Sequence, residues 1–183
     1  MARSLTTGRS CPTAASLRAS TSSADQPDAS PSDRRWKALT LQANAAFAAQ
    51  RWEEADRLYL EALGEADAVF RSYRIGAPVG NADPVPMLVT AIANLADCCL
   101  ERGQPGRAAD YLMAVSRRLC RVIERADTRR DVREQCLIHL RPLVFELLDK
   151  LPRAGWSEER TADAIAQIRA RALRHPIPDE SIH

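Results

Sequence analysis

A chain of 183 residues is long enough for one domain with a tail, and 45% hydrophobic against 27% charged residues is typical of a globular protein. The 26 basic and 24 acidic side chains nearly balance, which argues against the strong field of a nucleic-acid or anionic-membrane binder. Aromatic residues are only 5% and β-branched runs are scarce, so a β-sandwich or barrel is not expected. No stretch approaches the roughly 18 apolar residues of a membrane span, and we expect no membrane partner.

Cysteine usage indicates a reducing compartment. The five cysteines are odd in number, include no Cys-x-x-C pair and follow no secretory signal, which predicts reduced thiols and a cytoplasmic location. Cys136 and His139 could share a metal ion, but zinc needs four ligands and no second close pair exists. We therefore predict no metal and no cofactor. Arginine far outnumbers lysine, which indicates a G+C-rich genome and a bacterial source. The cysteines are Cys11, Cys98, Cys99, Cys120 and Cys136.

The first half of the chain reads as a tail, two helices and a loop. Residues 1–31 are rich in Ser, Thr, Ala and Pro and predict a disordered tail. The part without acidic residues, 1–24, could instead be an organellar transit peptide or sequence upstream of the true start. Ser32 is a good N-cap for a helix over 33–49, and apolar spacings of three and four predict a second over 52–74. Five Gly and Pro residues make 75–86 a loop.

Four more helices are predicted in the second half. The third begins at Pro86 and ends before Gly103, and the fourth begins at Pro105 and runs to about 126. A capping box starting at Thr128 opens the fifth, which Pro142 should kink or divide. The sixth follows Ser157 and ends by 174. We predict an all-α stack of three antiparallel hairpins over 32–175, followed by a C-terminal tail at 176–183.

Two segments carry a repeated pattern. In the first, Ala43, Trp52, Ala55, Tyr59 and Ala62 follow one another at helical spacings, so that small residues allow close helix approach and aromatic residues fill gaps. This pattern resembles the tetratricopeptide repeat family. A second copy runs from 95 to 115, so the resemblance covers about 36–67 and 89–120, and a third hairpin at 128–173 resembles the family in shape alone. The resemblance implies a protein-binding scaffold rather than an enzyme.

The resemblance also implies where a partner peptide or helix would bind. In this family the groove is lined by the first helix of each hairpin. Asp97 and Glu101 there would favour a basic or amide-rich ligand. A carboxylate clamp is disfavoured because Thr40 and Asp97 replace a Lys and an Asn, and Asn44 could be structural instead. The implied groove residues are Lys37, Thr40, Asn44, Phe47, Ala48, Thr90, Ala93, Asp97, Leu100 and Glu101.

Two other functions are compatible with the sequence. Three hairpins are close to the minimum for such a stack, so an exposed end helix face could form a homodimer. The arginines between Arg117 and Arg133 could serve a nucleic-acid-associated regulator, but interleaved acids and the absence of stacking aromatics favour a solvated surface. Trp36 could cap the open end of the stack or belong to an interface. No phosphate loop, nucleophile elbow or carboxylate pair is present, so we predict no catalytic activity.

Overall fold

Six α-helices and no strand make up residues 31–175, the part of the chain described by the structure, a computed structural model. The all-α prediction is confirmed. Of the predicted N-terminal tail, 1–31, only Pro31 is among the described residues, and it begins α1. The predicted C-terminal tail, 176–183, and Cys11 lie outside the described residues. The helices are α1 (Pro31–Ala48), α2 (Trp52–Arg74), α3 (Pro84–Glu101), α4 (Pro105–Glu124), α5 (Arg130–Arg153) and α6 (Glu158–Leu173).

The helix boundaries follow the local signals in most places. Helix α2 has the predicted bounds, and α4 begins at Pro105, a first-turn residue that has no N–H to leave unpaired. The N-cap prediction for α6 is confirmed, since the Ser157 hydroxyl accepts a hydrogen bond from the backbone N–H of Arg160 at 3.2 Å. First-turn prolines and N-cap residues act within a few residues of the helix end, so they can be recognised from the sequence alone.

Two predicted helix starts were wrong, and the division of α5 that was one of two expected effects of Pro142 is absent. Helix α1 already includes Pro31, so Ser32 lies inside its first turn rather than before it. Helix α3 begins at Pro84 instead of Pro86, because both prolines fit within a first turn. Helix α5 continues through Pro142 to Arg153 without division.

The capping box predicted for α5 was also wrong. Its N-cap is Arg129, and no side chain caps the helix there. The Thr128 hydroxyl instead donates to the Val122 carbonyl at 2.6 Å, at the end of α4. Arg133 serves the same helix end by donating to the carbonyl oxygens of Ile123, at 3.1 Å, and Arg125, at 3.0 Å. The polar side chains of this turn thus satisfy carbonyls that α4 leaves unpaired.

Consecutive helices pack against each other along the whole stack, and α3 also contacts α5 while α4 contacts α6. The main core lies among α2 to α6, and two smaller clusters join α1 and α2 to α3. Ala43, Ala55 and Ala62 are fully buried, as their place in the repeat pattern predicts. Trp36 is half-buried and packs against the smaller cluster that contains Met87 and Ala91.

Helix α3 corrects the expectation that no segment is apolar enough to cross a membrane. Its 18 residues have a mean hydropathy of 1.2, which meets the length and composition of a membrane span. However, 67% of them are buried against other helices, and three neighbours pack on it. A helix that is apolar on nearly every side is expected at the centre of a stack.

Gln50 occupies the turn between α1 and α2 with φ +57°, whereas the equivalent turn after α3 has Gly103 at φ +66°. Left-handed backbone costs a residue with a Cβ more than it costs glycine. The two turns therefore share a left-handed residue, although the predicted first copy has Gln50 where the second has glycine.

An ion pair joins the C-terminal end of α6 to that of α4. Arg171 donates to both carboxylate oxygens of Glu124 at 2.6 Å, and Arg174 adds a contact at 3.4 Å. The hydrogen bonds from Arg171 lower the pKa of Glu124 from 4.5 to about 2. A carboxyl group with a lowered folded-state pKa stabilises the fold above its unfolded pKa, and this contribution disappears as the pH falls through the folded value.

We expect Glu124→Gln to lower the free energy of unfolding by about 1 kcal/mol at pH 7, a value reduced for solvent screening of a pair that is 28% exposed. The deficit should shrink between pH 4.5 and 2, because Glu124 takes up a proton in the unfolded chain near pH 4.5 but in the folded protein only near pH 2. Urea unfolding at several pH values measures it, with Asp110→Asn, an exposed site on the same helix, as control. A deficit independent of pH would contradict the role of charge.

Candidate functional site

The predicted groove residues of α1 are mostly engaged within the first hairpin. The Asn44 side-chain oxygen accepts a hydrogen bond from the Tyr59 hydroxyl at 2.8 Å. Phe47 meets Trp52 edge-on, with ring centroids 5.1 Å apart, and lies 6.4 Å from Tyr59. Asn44 thus has a structural partner, and Phe47 helps to hold α1 on α2.

The other predicted α1 residues differ in exposure. Lys37 is exposed and its Nζ lies 2.8 Å from the carboxylate of Asp33, one turn earlier. The Thr40 hydroxyl is buried and has no hydrogen-bond partner among residues 31–175. Ala48 is exposed at the end of the helix. None of these contacts requires a ligand.

Helix α5 neutralises the acidic residues predicted on α3. Lys150, whose side chain is only 7% exposed, lies 3.2 Å from Asp97 and 2.5 Å from Glu146. Arg153 lies 3.5 Å from both Asp97 and Glu101. The predicted preference for a basic ligand loses its basis, because cationic side chains of the chain itself already occupy these carboxylates.

Burial affects the pKa values of both Asp97 and Lys150. It raises the pKa of Asp97 despite the opposing charges of Lys150 and Arg153. Burial alone would lower the pKa of Lys150, but the hydrogen bonds and charges of Glu146 and Asp97 outweigh it and raise that pKa. Lys150 is therefore charged throughout the neutral range.

The remaining predicted residues on α3 differ in how far they are buried. Thr90 is exposed, whereas Ala93 is half-buried. Leu100 packs against the main core. The structure thus pairs Asp97 and Glu101 of α3 with basic side chains of α5, while Asn44 and Phe47 of α1 contact side chains of their own hairpin.

The arginine cluster between Arg117 and Arg133 is largely paired with the chain's own acids and carbonyls. Arg118 bonds Asp67 on α2 and lies over the ring of Phe70. Arg125 and Arg129 pair with the acids two residues later. These pairings support the interpretation as a solvated surface.

An open apolar groove of about 440 Å³ lies between α5 and α6, at the end of the stack; we call it the end groove. Phe145 is 60%, Leu148 50% and Leu173 77% exposed. Val144, Phe145 and Leu148 follow one another at helical spacings on α5, and Ile168 and Ala172 face them from α6. The lining residues are Leu140, Arg141, Val144, Phe145, Leu148, Ile168, Arg169, Ala172 and Leu173.

An exposed end helix face was predicted in general terms, but none of the residues of the end groove was named, although the sequence carries a signal for them. Helix α5 buries one apolar row, which includes Leu140, Leu143 and Leu147, and carries a second row with Ile138, Phe145 and Leu148. A helix at the end of a stack has a neighbour for only one such row. Two apolar rows on a terminal hairpin therefore indicate an exposed surface.

A second groove of about 490 Å³ separates α2 from α4 over the buried side chains of Leu88 and Ile92. The Arg118–Asp67 ion pair joins its two walls. Among the residues lining it, Leu60 is the one exposed large hydrophobic side chain. It offers a partner less apolar surface than the end groove.

The described cysteines are fully or almost fully buried, as predicted for Cys98, Cys99 and Cys120. Burial raises the pKa of Cys98 to about 11 and that of Cys136 to about 12. Because the thiolate is the reactive form, these thiols are poor nucleophiles at neutral pH. Residues 31–175 contain no group of three or more His, Cys, Asp or Glu side chains able to hold a metal ion.

Residues 34–175 match the family described as "Protein of unknown function (DUF2753)". The chain belongs to this family. No curated protein and no solved structure matches the chain. The DUF2753 match begins within the first turn of α1 and covers the other five helices in full, including α5 and α6, which form the end groove.

Proposed function

We propose that this DUF2753 protein is a non-catalytic, tetratricopeptide-like scaffold that binds another protein through the end groove. The exposure of Phe145, Leu148 and Leu173 side by side carries this proposal. Monomeric proteins rarely expose contiguous large apolar side chains without a binding role. Aromatic and aliphatic anchors of this kind dominate the binding energy of interfaces.

The charges beside the groove favour a particular partner. Arg141 and Arg169 line it, and neither forms an ion pair within residues 31–175. A partner segment with apolar anchors and flanking acidic residues would satisfy both parts of this surface. The α1–α3 surface is a weaker candidate because Asp97 and Glu101 are already paired with α5.

A photocrosslinking amino acid at Leu173, in the full chain expressed in its own cells, tests the proposal. We expect a discrete adduct with another protein, identified by mass spectrometry. The same group at Leu41, which is 69% exposed on α1, is the matched control and should not give that adduct. Phe145→Asp with Leu148→Asp should reduce the adduct at least tenfold while the circular dichroism spectrum stays unchanged.

Equal adducts at both positions, or an adduct that survives the two aspartates, would contradict the proposal. An adduct consisting only of two copies of this chain would support the second candidate, a homodimer formed through the same end face. The same exposed residues favour that alternative, since a self-complementary apolar face can bury itself against its twin.

A further inference from the structure

The chain leaves the described fold at the rim of the end groove. Leu173 lines the groove, and the backbone N–H of His175 donates to the Ala172 carbonyl at 3.1 Å, which closes the last turn of α6. Eight further residues, 176–183, follow. They therefore start beside the apolar surface.

These eight residues are long enough to cover the groove. An extended chain spans about 3.3 Å per residue, or about 26 Å for the segment. The α5 wall from Leu140 to Leu148 rises about 1.5 Å per residue, or about 12 Å. The segment can turn back at the end of α6 and still run along the whole wall.

The composition of the segment fits an apolar groove. Pro176 and Pro178 restrict the backbone and disfavour helix, which reduces the entropy that an extended peptide loses on docking. Ile177 and Ile182 supply apolar side chains for the exposed faces of Phe145 and Leu148. Proline-rich peptides bind aromatic-lined grooves in this way in other systems.

The charges are complementary as well. Asp179 and Glu180 lie between the two isoleucines, and they are the only charged residues that the segment contains apart from the histidine at its end. Arg141 and Arg169 line the groove without an ion pair among the described residues. Two acids placed between two apolar anchors match an apolar groove that carries two arginines.

We infer that residues 176–183 dock into the end groove of the same molecule and compete there with the partner. The competition rests on the proposed function, whereas the docking itself does not. The segment would act as a built-in ligand, because its high effective concentration covers the groove until a tighter partner displaces it.

Paramagnetic broadening in the full chain tests the docking without any partner. A spin label is attached at Ser181→Cys in a Cys11→Ser background, where the buried native thiols stay unlabelled. We expect the methyl signals of Leu140, Val144 and Leu148 to lose more than half of their intensity. Those of Leu39 and Leu58, in the first hairpin, should be unchanged. Ile177→Asp with Ile182→Asp should restore the groove signals.

A charge exchange provides the matched variant. Asp179→Arg with Glu180→Arg should also restore the groove signals, and adding Arg141→Glu with Arg169→Glu should bring the broadening back. This rescue would not occur if the substitutions merely disturbed folding.

Groove signals that keep their intensity in the labelled chain would overturn the docking. Broadening that appears only between a labelled and an unlabelled molecule would also overturn it, because the occupant would then belong to a second copy. Neither result depends on partner capture, so the failure of docking and the failure of the proposed function are distinguishable.

Discussion

Ala43→Leu should destabilise the fold by about 3 kcal/mol, because it forces three carbon atoms into a site without space. Ala43 is fully buried on α1, in a cluster with Ala55, Leu58 and Leu95. A larger side chain there must push α1 away from α2 or distort both. Urea unfolding followed by circular dichroism measures the loss.

The matched control is Ala45→Leu, two residues away on the same helix and exposed to solvent. We expect its free energy of unfolding to stay within about 0.5 kcal/mol of the original chain. If the two variants were equally stable, α1 would be able to move away at no cost. The close approach through small residues, which the repeat pattern implies, would then not hold here.

Lys150→Met should lower the free energy of unfolding, measured by urea unfolding, by about 2 kcal/mol at pH 7. The substitution keeps the apolar stem of the side chain but removes the charge that Asp97 and Glu146 face. Breaking a fully buried ion pair costs about 3–5 kcal/mol, and the value is reduced here because both carboxylates are about one third exposed. Lys37→Met, at the exposed lysine of α1, is the control and should change stability by less than about 0.5 kcal/mol.

The pH dependence separates charge from packing in this variant. Burial already raises the folded-state pKa of Asp97, and removal of Lys150 should raise it further. An acid with a raised folded pKa costs stability while it is ionised, and that cost disappears as the pH falls through the folded value. The deficit of the variant should therefore shrink between pH 7 and pH 4. A constant deficit would mean that Lys150 contributes only through packing.

The sequence determined most of the fold of residues 31–175. Apolar spacing, first-turn prolines and turn glycines are local, so they predicted six helices and most of their ends. The errors occurred where two local signals competed. Pro84 and Pro86 both suit a first turn, and the Thr128 hydroxyl bonds the preceding helix rather than capping the following one.

The candidate site was much less predictable. Asp97 and Lys150 are 53 residues apart, and no periodicity shows which side chains from different hairpins will meet. Only the packing of α3 against α5 reveals that the predicted acidic surface is paired internally. A side chain can look available in the sequence and still be engaged in the fold.

Local sequence signals account for the six helices and for the small residues that allow close hairpins. Which apolar surfaces remain uncovered depends on how the helices pack. The second apolar row of α5 is visible in the sequence. It is exposed because, within residues 31–175, no further helix packs over α5 and α6 on that side. Burial is a property of neighbours in space, and neighbours are fixed only when the helices have packed.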